Sequence, residues 1–227
     1  MKIVANLAQI QSQINDIERQ YQRPKGTVRL LAVSKTRSVD EIRAAIGAGQ
    51  RHFGENYCQE AVEKIKVLKK PELTWHFIGP IQSNKSRQIA TNFDWVHTVD
   101  RIKIARRLNE ARLESSHALK ICVQINISEE QSKSGISINE AHDFIKELDG
   151  FSNLCVRGLM ALPAPASLIE EQRKPFAELR ECFEQLRQNR PELDTLSIGT
   201  TQDMEAAIAE GATIVRIGTA IFGPRNA

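Results

Sequence analysis

Three stretches of this chain carry residue types that could act together on a ligand: an apolar run ending in lysine, VRLLAVSK (28–35), and two turns of glycine and threonine, Gly199-Thr200-Thr201 and Gly218-Thr219, the second just after Arg216. Leu30, Leu31, Ala32 and Val33 follow Pro24 and Gly26, the pattern of a strand buried on both faces, and Lys35 closes it. A lysine past a strand is by default a solvated charge. Where water is scarce the ammonium is disfavoured, its pKa falls, and the amine becomes a nucleophile. Glycine and threonine at the start of a helix offer backbone N–H groups and hydroxyls to an anion. One such turn alone is an ordinary capped loop; two after the last two strands, with a lysine after the first, read as a ligand site.

The elements that would have to position these residues repeat. Ile3, Leu7, Ile10, Ile14 and Ile17 put an amphipathic helix over residues 3–22, ahead of the first strand. After Lys35, Ser38 with Glu41 makes a capping box for a helix ending at Gly47 or Gly49. Strands at 52–56, 73–79, 94–100, 121–127, 154–162, 195–200 and 213–219 then alternate with helices over 57–68, from about Asn84, and over 103–113, 138–148, 176–187 and 204–209. Strand-helix alternation implies right-handed parallel crossovers, and eight strands in one chain of this length predict an α/β fold, a single (β/α)₈ TIM-type barrel with an extra N-terminal helix over residues 1–227. A doubly wound open sheet is the alternative, but no Gly-x-Gly-x-x-Gly follows the first strand.

Composition narrows the partner. Across 227 residues, Lys and Arg number 31 against 28 Asp and Glu, a dispersed +3 that does not describe a nucleic-acid surface, and no apolar run approaches the ~20 residues of a membrane span. The expectation is a cytoplasmic protein with a small-molecule partner. Cys58, Cys122, Cys155 and Cys182 have neither CxxC nor zinc-like spacing, so no metal is expected and Cys122 and Cys155 read as packing residues within strands.

In a barrel the chemistry gathers where the strands end, and the loops after strands seven and eight commonly hold phosphate. An amine on that rim opposite a phosphate nest suggests a phosphorylated aldehyde held as a Schiff base, with pyridoxal 5′-phosphate (PLP) the obvious candidate. Arg216 would face its ring; as a donor only, it keeps a pyridine nitrogen unprotonated and weakens the ring as an electron sink.

The motifs LLAVSKT (30–36), FGENY (53–57), WHFIGPIQSNK (75–85), SKSG (132–135), RGLMALPAP (157–165) and VRIGTAIFG (215–223) occur here in one order. In these the chain resembles, over nearly its whole length, the pyridoxal phosphate homeostasis proteins, relatives of the alanine racemase N-terminal barrel. The resemblance implies that Lys35 carries the Schiff base, that Arg216 faces the pyridine nitrogen, and that Thr201, Gly218 and Thr219 line the phosphate site. Asn56, in FGENY, joins the cofactor-binding set. The family reads Gly-Met-Ser where this chain reads Gly199-Thr200-Thr201, so a threonine hydroxyl would replace a serine hydroxyl. His76 reads as a histidine satisfied inside the barrel, Asn84 as a helix cap, Lys133 as a solvated charge beside Glu129 and Glu130, and Trp75 and Trp95 as packing.

The implied function is reversible PLP holding in vitamin B6 homeostasis, by buffering or delivery, without catalytic residues. Racemases serve the second ring face with a tyrosine from a further domain, whereas this sequence ends at Ala227 and neither Tyr21 nor Tyr57 is an obvious substitute. PLP-dependent apo-enzymes or amino acids are further implied partners, and a monomer the implied state. The alternatives are a racemase-type PLP enzyme using Lys133 or His76 as base, and a phosphate-sensing barrel with no covalent cofactor.

Overall fold

Short strands rich in valine, isoleucine and leucine, each followed by a helix with one apolar stripe, have one compact solution: the strands pair side by side and the helices cover them. The computed structural model describes residues 2–113, 115, 117–128 and 134–224. Its strands are β1 (Arg29–Val33), β2 (His52–Glu55), β3 (Thr74–Phe77), β4 (Trp95–Val99), β5 (Leu119–Ile125), β6 (Leu154–Ala161), β7 (Thr195–Ser197) and β8 (Ile214–Ile217). They pair in parallel in chain order, and β8 pairs back onto β1 to close the barrel. Outside lie α1 (Lys2–Gln20), α2 (Val39–Gly47), α3 (Cys58–Leu68), α4 (Ser86–Asn92), α5 (Ile102–Ala111), α6 (Ala141–Leu148), α7 (Ile169–Asn189), α8 (Met204–Ala209) and α9 (Thr219–Phe222). No helix among the described residues is long and apolar enough to cross a membrane.

The expected α/β barrel with its leading helix is therefore present, and its local signals hold. Ser38 Oγ accepts from the Glu41 N–H at 3.2 Å while Glu41 Oε2 accepts from the Ser38 N–H at 2.7 Å, the reciprocal pair that starts α2. Several boundaries shift by a few residues, and three changes matter here. β1 stops at Val33, leaving Ser34 and Lys35 in the turn that follows. Helix α7 begins at Ile169 rather than Phe176 and runs through Pro175. Proline there forfeits a bond to the Glu171 carbonyl, but the buried face of Phe176, Leu179, Phe183 and Leu186 outweighs one missing donor. After β8, the last predicted element, comes a further helix, α9, which buries Ile221 and Phe222.

The main apolar core lies between barrel and helices, where Ile14, Ile42, Ile89, Leu108, Ile145 and Phe176 pack with outward strand residues such as Ala32, Phe53 and Phe77. Inside the barrel the filling is partly polar. Trp95, Cys122 and Met160 form a small apolar cluster. Beside it, His52 Nδ1 lies 3.1 Å from His76 Nε2, His76 Nδ1 lies 2.9 Å from His97 Nε2, and His97 Nδ1 lies 2.8 Å from Ser197 Oγ. Because β4 and β7 are not neighbours in the closed sheet, the last contact can only cross the interior. His76 is thus satisfied inside the barrel as expected, and Trp75 and Trp95 are buried.

Burial holds these imidazoles neutral. Desolvation, with Arg29 and Lys120 nearby, pushes His52 down to about 4; burial and the Arg216 charge push His97 down to about 3; His76 lies well below its ordinary value from burial and its neighbours. Between pH 6.5 and 4 the unfolded chain then binds protons at His52 that the folded chain refuses, so this contribution is complete above pH 6.5 and is lost as pH falls. We expect the urea midpoint to drop between pH 7 and pH 5, and to drop less in His52→Gln, whose amide oxygen can still accept from His76. An equal drop in both proteins would contradict the assignment.

Candidate functional site

Closure of the barrel makes β1 and β8 neighbours, with Leu31 opposite Arg216 and Ala32 opposite Ile217. One residue further on, a Cβ built on Gly218 would stand 3.3 Å from the Val33 backbone oxygen, so the end of β8 sits against the strand that leads to Lys35. At this rim lies a cavity of about 450 Å³, within the range of roughly 300–1,000 Å³ common for small-molecule sites. Lys35, Asn56, Thr201, Arg216, Gly218 and Thr219 all line it, together with Val33, Arg37, Ile78, Leu162, Thr200 and Gln202. The six residues singled out from sequence therefore converge on one space from the ends of four strands.

The turn bearing Lys35 is fastened on both sides. Ser34 Oγ donates to Glu55 Oε1 at 2.6 Å, and Lys64, from α3, donates to the Ser34 carbonyl at 2.7 Å, to Glu55 Oε1 at 2.8 Å and to Glu60 Oε1 at 2.5 Å. Glu60 Oε1 also accepts the Thr36 N–H at 2.6 Å. Thr36 has a φ of +62°, which a β-branched residue rarely adopts and which these bonds sustain. Glu55 is fully buried; desolvation raises its pKa, and Lys64 and Ser34 oppose the rise.

Arg216 is held just as firmly. Its Nη1 donates to the Ser197 carbonyl and, at 2.9 Å, to Ser197 Oγ, while Nη2 donates to the Ala161 carbonyl at 2.9 Å. Burial pulls its pKa down to about 10, which leaves it charged at neutral pH.

Two turns form a further part of the lining. The first donor of the α9 ladder is the Ile221 N–H, bonded to the Gly218 carbonyl at 2.9 Å, so the N–H groups of Thr219 and Ala220 lie outside that ladder. In the preceding turn, Gly199 has a φ of +91° and a Cβ there would lie 2.6 Å from the Ala207 Cβ, a glycine requirement twice over. Thr200 spends both its N–H and its hydroxyl on Asp203 Oδ1, at 2.6 and 2.7 Å. Thr201, by contrast, is exposed and lines the cavity. The turn continues to Asp203, so α8 starts at Met204 and not directly at Thr201.

Other expectations fare variously. Asn56 Oδ1 is buried and accepts nothing from the described residues, and a Cβ on Gly79 would stand 2.1 Å from the Asn56 carbonyl, which explains the glycine of WHFIGP. Asn84 sits within a 3₁₀ turn, Ser83–Lys85, and is not a cap. Lys133, Glu129 and Glu130 lie outside the described residues. Sequence reasoning missed Arg37, whose guanidinium binds the carbonyls of Phe222, Gly223 and Pro224 and ties α9 to the Lys35 loop. It also missed Glu55, Lys64 and Ser197; the spacing of Glu60 and Lys64 on α3 was the one available signal. A larger depression of about 840 Å³ between α4 and α5, lined by Arg87, Arg107 and Arg112, has neither amine nor glycine-threonine turns, and we place the site in the smaller cavity.

Comparison with known proteins bears on this arrangement. The family model described as alanine racemase, N-terminal domain, matches residues 5–226. The chain is 52% identical to the pyridoxal phosphate homeostasis protein of Pasteurella multocida, covering 100% of this chain and 99% of that one, and 48% identical to the Escherichia coli protein of the same name, covering 99% and 97%. Among solved structures, PipY of Synechococcus elongatus with PLP bound superposes with a TM-score of 0.83 at 36% identity, over 97% of this chain and 100% of that chain. Alanine racemase from Corynebacterium glutamicum, at 15% identity and a TM-score of 0.70, shares the fold over 98% of this chain and 60% of its own.

Removing Lys64 strands Glu55 as a buried charge. Lys64→Met is expected to lower stability by about 3–5 kcal/mol by urea denaturation, as for other broken buried pairs, and the Glu55→Gln, Lys64→Met double variant to recover part of that loss. Simple addition of the two single effects would contradict the coupling.

Proposed function

The chain belongs to the pyridoxal phosphate homeostasis proteins, within the family of the alanine racemase N-terminal domain, and on that premise we propose that it binds PLP reversibly in the rim cavity and serves the homeostasis of this cofactor. The observation that carries the reading is the convergence of an amine, a permanent cation, two hydroxyl-bearing turns and a buried, unmatched amide oxygen on one space. This donor set fits a phosphorylated pyridine aldehyde. When bound, PLP supplies an aldehyde carbon that an amine can capture and release.

Each residue then has a role. Lys35 Nζ is the attachment point. Thr219, Gly218 and Thr201 hold the phosphate through N–H groups and hydroxyls, aided by the short helix that starts there. Arg216 meets the pyridine nitrogen as a donor and keeps it unprotonated. Asn56 offers its oxygen to a donor on the ligand or its attachment.

Holding rather than turnover is favoured by what surrounds the cavity. The described lining residues include no histidine, carboxylate, cysteine or tyrosine; the ionisable ones are Lys35, Arg37 and Arg216, and the two arginines are permanently charged. His76 is locked in the barrel interior, and Tyr21 is engaged with Glu205 and Arg173 on the outer helices. A proton acceptor for the opposite ring face is therefore not among the described lining residues, which disfavours the racemase alternative. Buffering or hand-over of PLP to apo-enzymes, a monomeric state, action in the cytoplasm, and residues 1–227 working as one binding domain complete the proposal.

Added PLP is expected to give the purified protein a visible absorbance, and borohydride to fix a pyridoxyl mass on the peptide containing Lys35. Lys35→Ala should lose both; wild-type absorbance in that variant would sink the reading. Incubation of the loaded protein with amino acids in heavy water should give negligible α-deuterium incorporation, and rapid exchange would restore the enzyme alternative.

A further inference from the structure

The imidazoles inside the barrel end on the residue proposed to meet the cofactor ring. The sequence of contacts is Arg216 to Ser197 at 2.9 Å, Ser197 to His97 at 2.8 Å, His97 to His76 at 2.9 Å and His76 to His52 at 3.1 Å. Ser197, His76 and His97 are fully buried, so each of these contacts needs one proton and has room for only one. A neutral imidazole has a single N–H, which leaves two self-consistent arrangements: all protons pointing toward Arg216, or all pointing away.

The guanidinium decides between them. It can only donate, and it gives an N–H to Ser197 Oγ, which is therefore an acceptor on that side. The hydroxyl proton is repelled by the cation and turns to His97 Nδ1. His97 must then carry its proton on Nε2 and donate to His76 Nδ1, and His76 must do the same toward His52. We infer that His52, His76 and His97 form one directed string, each protonated at Nε2, and that Ser197 and His97 are positioning residues that hold Arg216 in the plane it presents to the cavity.

The positioning follows from the donor count. Of five guanidinium N–H groups, two go to the carbonyl and hydroxyl of Ser197 and one to the Ala161 carbonyl. That leaves two without an acceptor among the described residues, and their direction is set by where Ser197 Oγ stands. His97 fixes the hydroxyl rotor, so the ring-facing donors inherit their aim from a residue that never touches the cavity. This role rests on the proposed binding of PLP; the order of the string does not.

Long-range ¹H–¹⁵N correlation spectra of the full chain, labelled at histidine and recorded without ligand, test the order, with the exposed His117 and His142 as references. Residues 52, 76 and 97 should each show a protonated Nε2 and a bare Nδ1 at pH 7. A protonated Nδ1 at His97, or mixed tautomers, overturns the string. Ser197→Ala removes the donor to His97 and should give mixed tautomers at His97 and His76, while Ser197→Thr should restore the wild-type pattern; an unchanged pattern in Ser197→Ala overturns the role of the hydroxyl. Against added PLP, Ser197→Ala should bind about tenfold more weakly, the scale of one hydrogen bond to a charged group, with a shifted absorbance maximum and with borohydride still trapping at Lys35. Affinity within twofold of wild type and an unmoved maximum refute the positioning role. Absence of trapping in the wild type refutes PLP binding itself and leaves the tautomer measurement to judge the string alone.

Discussion

The hydrogen bonds that join β8 to β1 are the constraint on which the site depends. Lys35 follows one of these strands and Arg216, Gly218 and Thr219 belong to or follow the other, and nothing along the chain brings them together. The register of Leu31 with Arg216 and Ala32 with Ile217 fixes how far each strand reaches into the rim. A slip of two residues would displace the amine by about 6.6 Å along the strand, and a slip of one would turn every side chain to the opposite face. Either would dissolve the cavity while leaving a barrel. Arg37, bonded to the carbonyls at the end of α9, reinforces the closure at the rim itself.

The interior of the barrel departs from the branched aliphatic filling usual in this architecture. Three histidines and a serine occupy space that valine or leucine would fill more cheaply, and they are tolerated because each polar contact is matched. Glu55 and Lys64 are buried too, offset by mutual attraction and by Ser34 at Glu55 Oε1, while Glu55 Oε2 accepts nothing from the described residues. Both arrangements lie directly beneath residues proposed to touch the ligand. Stability spent below the rim has its return in geometry above it.

Much of this could be read from the chain before folding. Strand-helix alternation predicted the barrel because each element carries its own period, and Ser38 with Glu41 marked α2 because capping is local. The rim residues were legible because barrel chemistry falls where strands end, so Lys35, Asn56 and Thr201 could be named without coordinates. Contacts between distant segments were not legible. Ser197 is hidden in TLS, its bond to His97 spans 100 residues, and Lys64 resembles any charged residue of a helix until Glu55 is seen beneath it. The early start of α7 was missed for another reason: Pro175 is a local stop signal that the buried face of that helix overrides. Thr200 was grouped with Thr201 by type, and Asp203 separated them.

The turn at Ser34–Thr36 has a consequence for how tightly a ligand can be kept. Its backbone is immobilised before anything arrives, by Glu55 and Lys64 on one side and Glu60 on the other. Capture at the amine between them therefore requires little backbone ordering, and release undoes just as little. A molecule meant to lend its cargo benefits from that symmetry, since loading and unloading are then governed by the chemistry of the bond and the supply of free ligand, and not by the folding and melting of a loop.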